Sequence, residues 1–418
     1  MSVHRRGFLR VACATGLASL IPGKGQARDE QMARVEAIDR AFAKPVLNRE
    51  KLRQAVPIES MELLKNGKIF LVRVRSKDGA EGLSVANELR MVDSYPIFNN
   101  RVAPFFAGKD AREFEPLLWE LYRYKDNYKY QGLPFWVCVA AAEFAVLDLL
   151  GKVFKQSVGE LLGGVVRREF PVYRASGNRG NTPEAEVDFL RKLVEESGAK
   201  ALKFRLGGRM SKDADSLPGR TERLIPLVRE AFGPEMTLYA DSNSSYSVAK
   251  AIEVGRLMEK SNYGFYEEPC EYDRLDETKQ VADALTIPVA GGEQEYSDWR
   301  FRWMIANRAV DVVQPDLHYY GGMIRSLRVA RMAEAAGMRC TPHMSGAGLG
   351  YLDVAHFVSC LTNPVEFHEF KGNTTIPVSS ETSTLRCERG LVQVPSGPGF
   401  GITIDPDFVK QAQPIKPL

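Results

Sequence analysis

From about residue 168 onward the chain alternates short apolar runs with amphipathic stretches, about eight times over. The predicted strands are 170–173, 201–204, 237–240, 264–266, 288–290, 310–313, 339–341 and 365–367. Between them lie predicted helices at 185–197, 221–232, 247–260, 274–284, 298–306, 323–336 and 352–360. Strand then helix, repeated, is the pattern of a closed parallel barrel inside a ring of helices. An open doubly wound sheet is the competing fold, but no GxGxxG opens a first strand-helix unit. The fold class is therefore α/β, a (β/α)7β TIM-like barrel over 168–375.

The residues before it have another rhythm. Lys68 to Arg75 alternates like a strand between turn residues Asn66-Gly67 and Asp78-Gly79, which predicts a hairpin or small meander. Helical spacing follows over 111–124, with Asp110 as a cap and Pro116 as a point of kinking or restart, and again over 140–154. Residues 28–167 thus read as an α+β domain, and 376–418 as a C-terminal tail packing back on it.

Residues 1–27 read as an address and not as structure. Arg5-Arg6-Gly7-Phe8-Leu9-Arg10 is a twin-arginine pattern, followed by an apolar stretch too short for a membrane anchor and a small-residue exit near Ala27. The expectation is an exported, periplasmic protein with no membrane anchor after cleavage. The net charge of +3 has no basic block to track a phosphate backbone, so nucleic acid is not an expected partner. Cys138, Cys270, Cys340, Cys360 and Cys387 are odd in number and lack CxxC spacing, which speaks for free thiols over a zinc site or a disulfide framework.

Polar residues recur at the strand ends: Lys203 and Arg205, Asp241 and Asn243, Glu267, Glu293, Asp316, His343 and Glu369. One such residue would mean little. A series spaced by one strand-helix unit points into one mouth. The segments Lys203-Phe204-Arg205, Ala240-Asp241-Ser242-Asn243, Tyr266-Glu267-Glu268-Pro269, Gly291-Gly292-Glu293 and Val313-Gln314-Pro315-Asp316, with His343, resemble in order and spacing the enolase superfamily. They are similar to its mandelate racemase and muconate lactonizing enzyme branch in particular. The end of the first domain, Gly159 to Gly164, and the closing segment Pro395 to Gly401 share the resemblance, which spans essentially the whole mature chain.

Asp241, Glu267 and Glu293 offer hard carboxylate oxygens from three neighbouring strands, a set suited to Mg2+. Glu268 is the alternative to Glu267. Asn243 reads as an auxiliary polar contact beside the ion. A hydrogen next to a carboxylate is very weakly acidic, and a divalent ion offsets the charge that develops when it leaves. His343 is the candidate base, with Asp316 on the neighbouring strand as its orienter. The resemblance makes Glu369 the last-strand acid that hydrogen-bonds the substrate carboxylate or enediolate, with Glu366 competing for the role. Lys203 would bind the substrate carboxylate, or serve as a base itself.

The pattern departs from the two-base relatives at Arg205, where they carry the second lysine of a Lys-x-Lys pair. A guanidinium stays protonated, so it is a poor base and a good carboxylate clamp. One-face chemistry follows: His343 takes the α-proton and the β-hydroxyl leaves as water, so the expected reaction is dehydration of a small hydroxy acid or acid sugar. Epimerisation or cycloisomerisation on the same enediolate is the runner-up, and a catalytically silent sugar-acid binder is a third reading. The resemblance implies that the first domain closes over the mouth. Residues 87–90 and 99–101, Arg90 among them, and Arg174 and Asn178 from the first strand end are then candidate substrate contacts. It also implies a symmetric homo-oligomer.

Overall fold

The computed structural model describes residues 24–416 apart from positions 347 and 373, so the twin-arginine motif lies outside the described residues. The first domain is built on an antiparallel meander, β1 (Ile58–Asn66), β2 (Ile69–Ser76) and β3 (Glu81–Val85). The predicted strand at 68–75 is β2, displaced by one residue. The 22-residue helix Leu133–Phe154 lies across this sheet. Gly82 of β3 is what lets it come so near, because a Cβ there would fall 2.1 Å from the Ala145 carbonyl oxygen.

That helix begins at Leu133 and not near Ala140, with Pro134 in its first turn, where a missing N–H costs nothing. From Phe135 onward its early turns are buried on all sides and have no polar face to give a period. The helix is long and apolar enough to cross a membrane, yet 89% of its most apolar window is buried within the protein. Glu143 on it accepts the Ile324 N–H at 3.1 Å, which ties it to the start of the barrel helix Met323–Ala335. The stretch predicted at 111–124 is a 3-10 turn, Ala111–Glu113, leading into helix Phe114–Arg123. Asp110 accepts the Arg112 N–H as its cap, and Pro116 falls in the first turn of the restarted helix.

Eight parallel strands follow: β4 (Glu169–Ala175), β5 (Ala201–Arg205), β6 (Thr237–Asp241), β7 (Phe265–Glu267), β8 (Val289–Gly291), β9 (Val312–Val313), β10 (Arg339–Cys340) and β11 (His368–Glu369). They pair in sequence order, and β11 closes the ring on β4 through His368↔Val172 and Glu369↔Tyr173. Seven helices join them: Pro183–Ser197, Arg220–Phe232, Val248–Lys260, Leu275–Ala284, Asp298–Ala306, Met323–Ala335 and Gly350–Cys360. The result is the (β/α)7β barrel.

Two readings of the sequence are corrected here. The last strand was expected at 365–367, but its ladder with β4 lies at 368–369. The eighth stave is split. Around Pro364, which has no N–H, it pairs with Cys340 of β10, and only four residues later does it reach β4. The tail, expected on the first domain, divides its contacts. Residues Leu391–Gln393 pair antiparallel with β4 of the barrel, while Gln413–Pro414 extend the meander beyond β1. The helix Lys24–Phe42, which starts before the expected exit at Ala27, was not foreseen. Among its residues of described burial the one buried anchor is Ile38, too little to give a readable period.

The barrel interior is layered by the period of two along each strand. Tyr173, Ala201, Tyr239, Phe265, Ala290, Val312 and Phe367 form a closed apolar layer, with the Tyr239 and Phe265 rings stacked at 3.8 Å. Two residues further along the same strands come Lys203, Asp241, Glu267, Gln314 and Glu369. The same alternation that builds the floor therefore aims the polar side chains into the mouth.

Candidate active site

Asp241, Glu267 and Glu293 are buried, and each offers an oxygen within 4.8 Å of the other two. An octahedral magnesium with bonds of about 2.1 Å holds its oxygens roughly 3 to 4.2 Å apart, so the triad fits after a small contraction. The electrostatics call for a cation. Burial, reinforced by Glu267, lifts Glu293 above the usual carboxylate range, and its Oε2 is buried without a hydrogen-bond partner. Burial pushes Glu267 up, but Lys203, Arg205 and Gln314 together hold it below its ordinary value: Lys203 Nζ lies 2.9 Å from both carboxylate oxygens, and Gln314 Nε2 donates at 2.9 Å.

Glu268 is buried too, but outside the triad. Burial and the neighbouring Glu293 and Glu267 raise it far above its ordinary value, so it keeps its proton. Asn243, in left-handed backbone at φ 41°, donates from Nδ2 to Asp241 Oδ2 at 3.0 Å and to Glu268 Oε2 at 3.3 Å. Its own oxygen accepts from Arg179 and Arg209. Arg205 makes an ion pair with Asp241, not with an open part of the mouth.

His343 Nδ1 lies 2.7 Å from Asp316 Oδ2. Oδ1 of the same carboxylate accepts the backbone N–H groups of His318 and Tyr319 at 2.9 and 2.8 Å and the Ser345 hydroxyl at 3.0 Å. Burial would raise Asp316, but these bonds and the imidazole hold it below its ordinary value. An ionised Asp316 accepts the Nδ1 proton, which leaves Nε2 to face the triad, 3.3 Å from Glu293 Oε2. Burial lowers His343 while Glu293 and Asp316 raise it, and the balance lies above the ordinary 6.5.

Lys203 is not placed as a base. Burial alone would lower it, but Glu267 and Glu369 push its ammonium above the ordinary lysine range. Glu369 accepts the Met344 N–H at 2.9 Å and stands between Lys203 at 3.9 Å and Lys371 at 3.2 Å. Against its burial, these charges hold it well below the usual carboxylate range, so here it accepts and does not donate. Glu366 is exposed and out of contention.

Arg174 corrects another expectation. Tyr173 and Ala175 face the barrel interior, so Arg174 points outward, into a separate cavity lined by Glu196, Tyr351, Phe370 and Cys387. Asn178 stands just beyond β4, where its backbone N–H donates to Ser176 Oγ and its carbonyl accepts from Arg220. Of the first-domain candidates, Asn87 and Arg90 reach the barrel, Asn87 Nδ2 donating to the Ser345 hydroxyl and Arg90 Nε to the Tyr319 hydroxyl at 3.2 Å. Asn99 and Arg101 bond instead to the tail carbonyl of Ile415 and to Lys125.

Sequence reasoning missed Lys371 and Arg179. Lys371 was open to discovery, two residues beyond Glu369 and so on the same face; Arg179 gave no signal. His318, His356 and His368 all have structural partners: Asp353 at 3.2 Å, the Phe400 carbonyl at 3.1 Å and Thr341 at 2.8 Å. All five cysteines among the described residues are free thiols.

Comparison with known proteins agrees with this architecture. Residues 45–163 match the mandelate racemase/muconate lactonizing enzyme N-terminal domain, and residues 185–408 match the enolase C-terminal domain-like family. Arabinonate dehydratase of Saccharolobus solfataricus is 28% identical over 80% of this chain and 88% of its own length. D-galactarolactone cycloisomerase of Agrobacterium fabrum is 29% identical over 73% and 82%. A mandelate racemase/muconate lactonizing protein from Paracoccus denitrificans, solved with magnesium, superposes with a TM-score of 0.78 at 28% identity, covering 87% of this chain and all of the other. The chain therefore belongs to the mandelate racemase/muconate lactonizing enzyme family of the enolase superfamily.

Proposed function

We propose that this protein is a magnesium-dependent acid-sugar dehydratase. The observation that carries the reading is a single oriented base, His343 on Asp316, facing three carboxylates, with Arg205 where a second base would stand. Asp241, Glu267 and Glu293 would hold the ion, which when bound would supply positive charge to offset the charge that builds on the substrate carboxylate as the α-proton leaves. His343 Nε2 takes the α-proton, and the C–H electron pair moves into the carboxylate to give an enediolate. Those electrons return to form the Cα–Cβ double bond as the β C–O bond breaks. The hydroxyl leaves as water with the proton His343 had taken, and the enol product tautomerises to a 2-keto acid.

Lys203 and Arg205 supply fixed positive charge on the opposite face. Asn243 steadies Asp241, and Arg90 lies on the cap side, where the sugar chain would extend. The relatives named for arabinonate and galactonate dehydration support this chemistry. A second reading, cycloisomerisation through the same enediolate, has support from the galactarolactone relative.

The test is to incubate the magnesium-loaded protein with a panel of aldonates, aldarates and aldarolactones in heavy water, followed by NMR, beside His343→Asn. The expected result is a 2-keto-3-deoxy product that the variant does not form. Ring opening or closure without loss of water would replace the dehydratase by an isomerase, and the absence of keto product, isomer and α-deuterium alike with every acid would overturn both. The twin-arginine segment supports export to the periplasm, and the family resemblance supports a homo-oligomer. Cell fractionation followed by light scattering of the recovered protein checks the two together.

A further inference from the structure

We propose that Asn87, in the first domain, is a positioning residue for the His343–Asp316 pair, so that the base is fully oriented only while the cap sits on the barrel. Asn87 occupies the N-cap position of helix Glu88–Ile97, where an asparagine side chain ordinarily accepts one of the helix's free N–H groups. It does not do so here. Its Nδ2 instead crosses to the barrel and donates to Ser345 Oγ at 2.8 Å. The helix thus forgoes its cap, so the bond across the domains is made at the helix's expense.

The direction of the relay follows from proton counting. Ser345 has one hydroxyl proton, and the ionised Asp316 can only accept, so that proton goes to Asp316 Oδ1 at 3.0 Å. The serine oxygen is then left to accept from Asn87. The chain runs Asn87 to Ser345 to Asp316, whose other oxygen takes the His343 Nδ1 proton at 2.7 Å. All four side chains are buried, so the bonds are not diluted by water. Gly346 makes room for the arrangement: it sits at φ +70°, and a Cβ there would press to 3.0 Å on Asn87 Nδ2.

A second tie from the same helical turn bears on the same carboxylate. Arg90 holds the Tyr319 hydroxyl, and the Tyr319 backbone N–H donates to Asp316 Oδ1. The cap thus reaches the dyad twice, without either residue touching His343. Withdrawing Asn87 would leave Ser345 free to turn its hydroxyl elsewhere, and Asp316 would lose one of the bonds that fix its plane. Groups that orient the partner of a functional histidine in this way typically change activity by roughly 10- to 100-fold when removed.

The inference rests on the proposed role of His343 for its kinetic consequence, so the test has an arm that needs no substrate. In proton NMR of the full-length, magnesium-loaded protein, the His343 Nδ1–H gives a low-field resonance, assigned by its loss in His343→Asn. Asn87→Ala and Ser345→Ala should each speed its exchange with water about tenfold, while Ser345→Thr, which keeps the hydroxyl, restores the parent rate. Because the residues act in series, Asn87→Ala with Ser345→Ala should do no more than either alone. An unchanged resonance in Asn87→Ala, or additive effects in the pair, overturns the proposal.

With D-galactonate or D-arabinonate as the probe, the same variants should lower kcat about tenfold and leave KM within about twofold. If no acid of the panel reacts but the resonance responds as described, the positioning role stands and the dehydratase reading fails. If both acids react and the resonance ignores Asn87, the reverse holds.

Discussion

The floor and the mouth of the barrel are two residues apart along the same strands, yet they obey opposite rules. In the floor, Tyr173, Tyr239, Phe265 and Phe367 exclude water and pack ring against ring. In the mouth, Asp241, Glu267, Glu293, Glu369, Lys203 and Arg205 are equally buried but charged or protonated under strain. Like-charged carboxylates inside a protein destabilise it unless something binds between them. The floor stabilises the scaffold, and the mouth draws on that stability to hold a cation site together before the cation arrives.

Mutation should separate the two layers. Phe265→Ala removes a buried, stacked ring from the floor and should cost about 3 to 5 kcal/mol in denaturant unfolding, whether or not magnesium is present. Glu293→Gln, one layer up, should behave otherwise. It removes a carboxylate that is costly to ionise, so the metal-free protein should keep or gain stability while α-proton exchange is lost. Magnesium at a hundredfold over its dissociation constant should raise the parent's stability by about 2.7 kcal/mol and the variant's by much less. Calorimetric melts with and without the ion read both effects, and equal magnesium gains in parent and variant would contradict the contrast.

The smallest effect is on pH. Glu293 and His343 both have folded-state values above their ordinary 4.5 and 6.5, so each binds its proton more tightly in the folded protein. Their contribution to stability is present below those ordinary values and is lost as pH rises through the raised ones. Asp316, Glu267 and Glu369 are shifted the other way, and their contribution is lost as pH falls through their depressed values. Melting of the metal-free protein should therefore weaken at both ends, with the alkaline loss beginning above pH 4.5 and extending past 6.5. In Glu293→Gln the alkaline limb should be shallower. A limb unchanged by the substitution would exclude Glu293 as its source and leave it to His343.

How much of this could be read beforehand depended on periodicity. Seven of the eight barrel strands and all seven connecting helices were legible, because amphipathic helices and apolar strands alternate with clear boundaries. The eighth strand was misplaced because Pro364 splits its pairing, and sequence does not say which neighbour a split stave will follow. Part of the mouth was legible for the same reason as the strands: Lys203, Asp241, Glu267 and Glu369 share the parity of the floor, while Glu293 and His343 stand just beyond their strands. Arg174 was misread through that parity, since Tyr173 faces inward and its neighbour cannot. Arg179 depends on a contact between loops far apart in sequence that no local pattern announces, and Asn87, though among the candidates at 87–90, was expected at the substrate and instead reaches Ser345 from 258 residues away.

The pairing of Gln413–Pro414 with Leu64 and Lys65 has a consequence for how the molecule is made. β1 is among the first strands to leave the ribosome, but its outer edge finds no partner until synthesis has reached Pro414. At ordinary elongation rates that interval is on the order of tens of seconds, during which the whole barrel is being translated. An exposed edge is a template for the strand of any neighbouring chain. The domain begun first is thus completed last, and nascent copies on one messenger run the risk of exchanging their final strands.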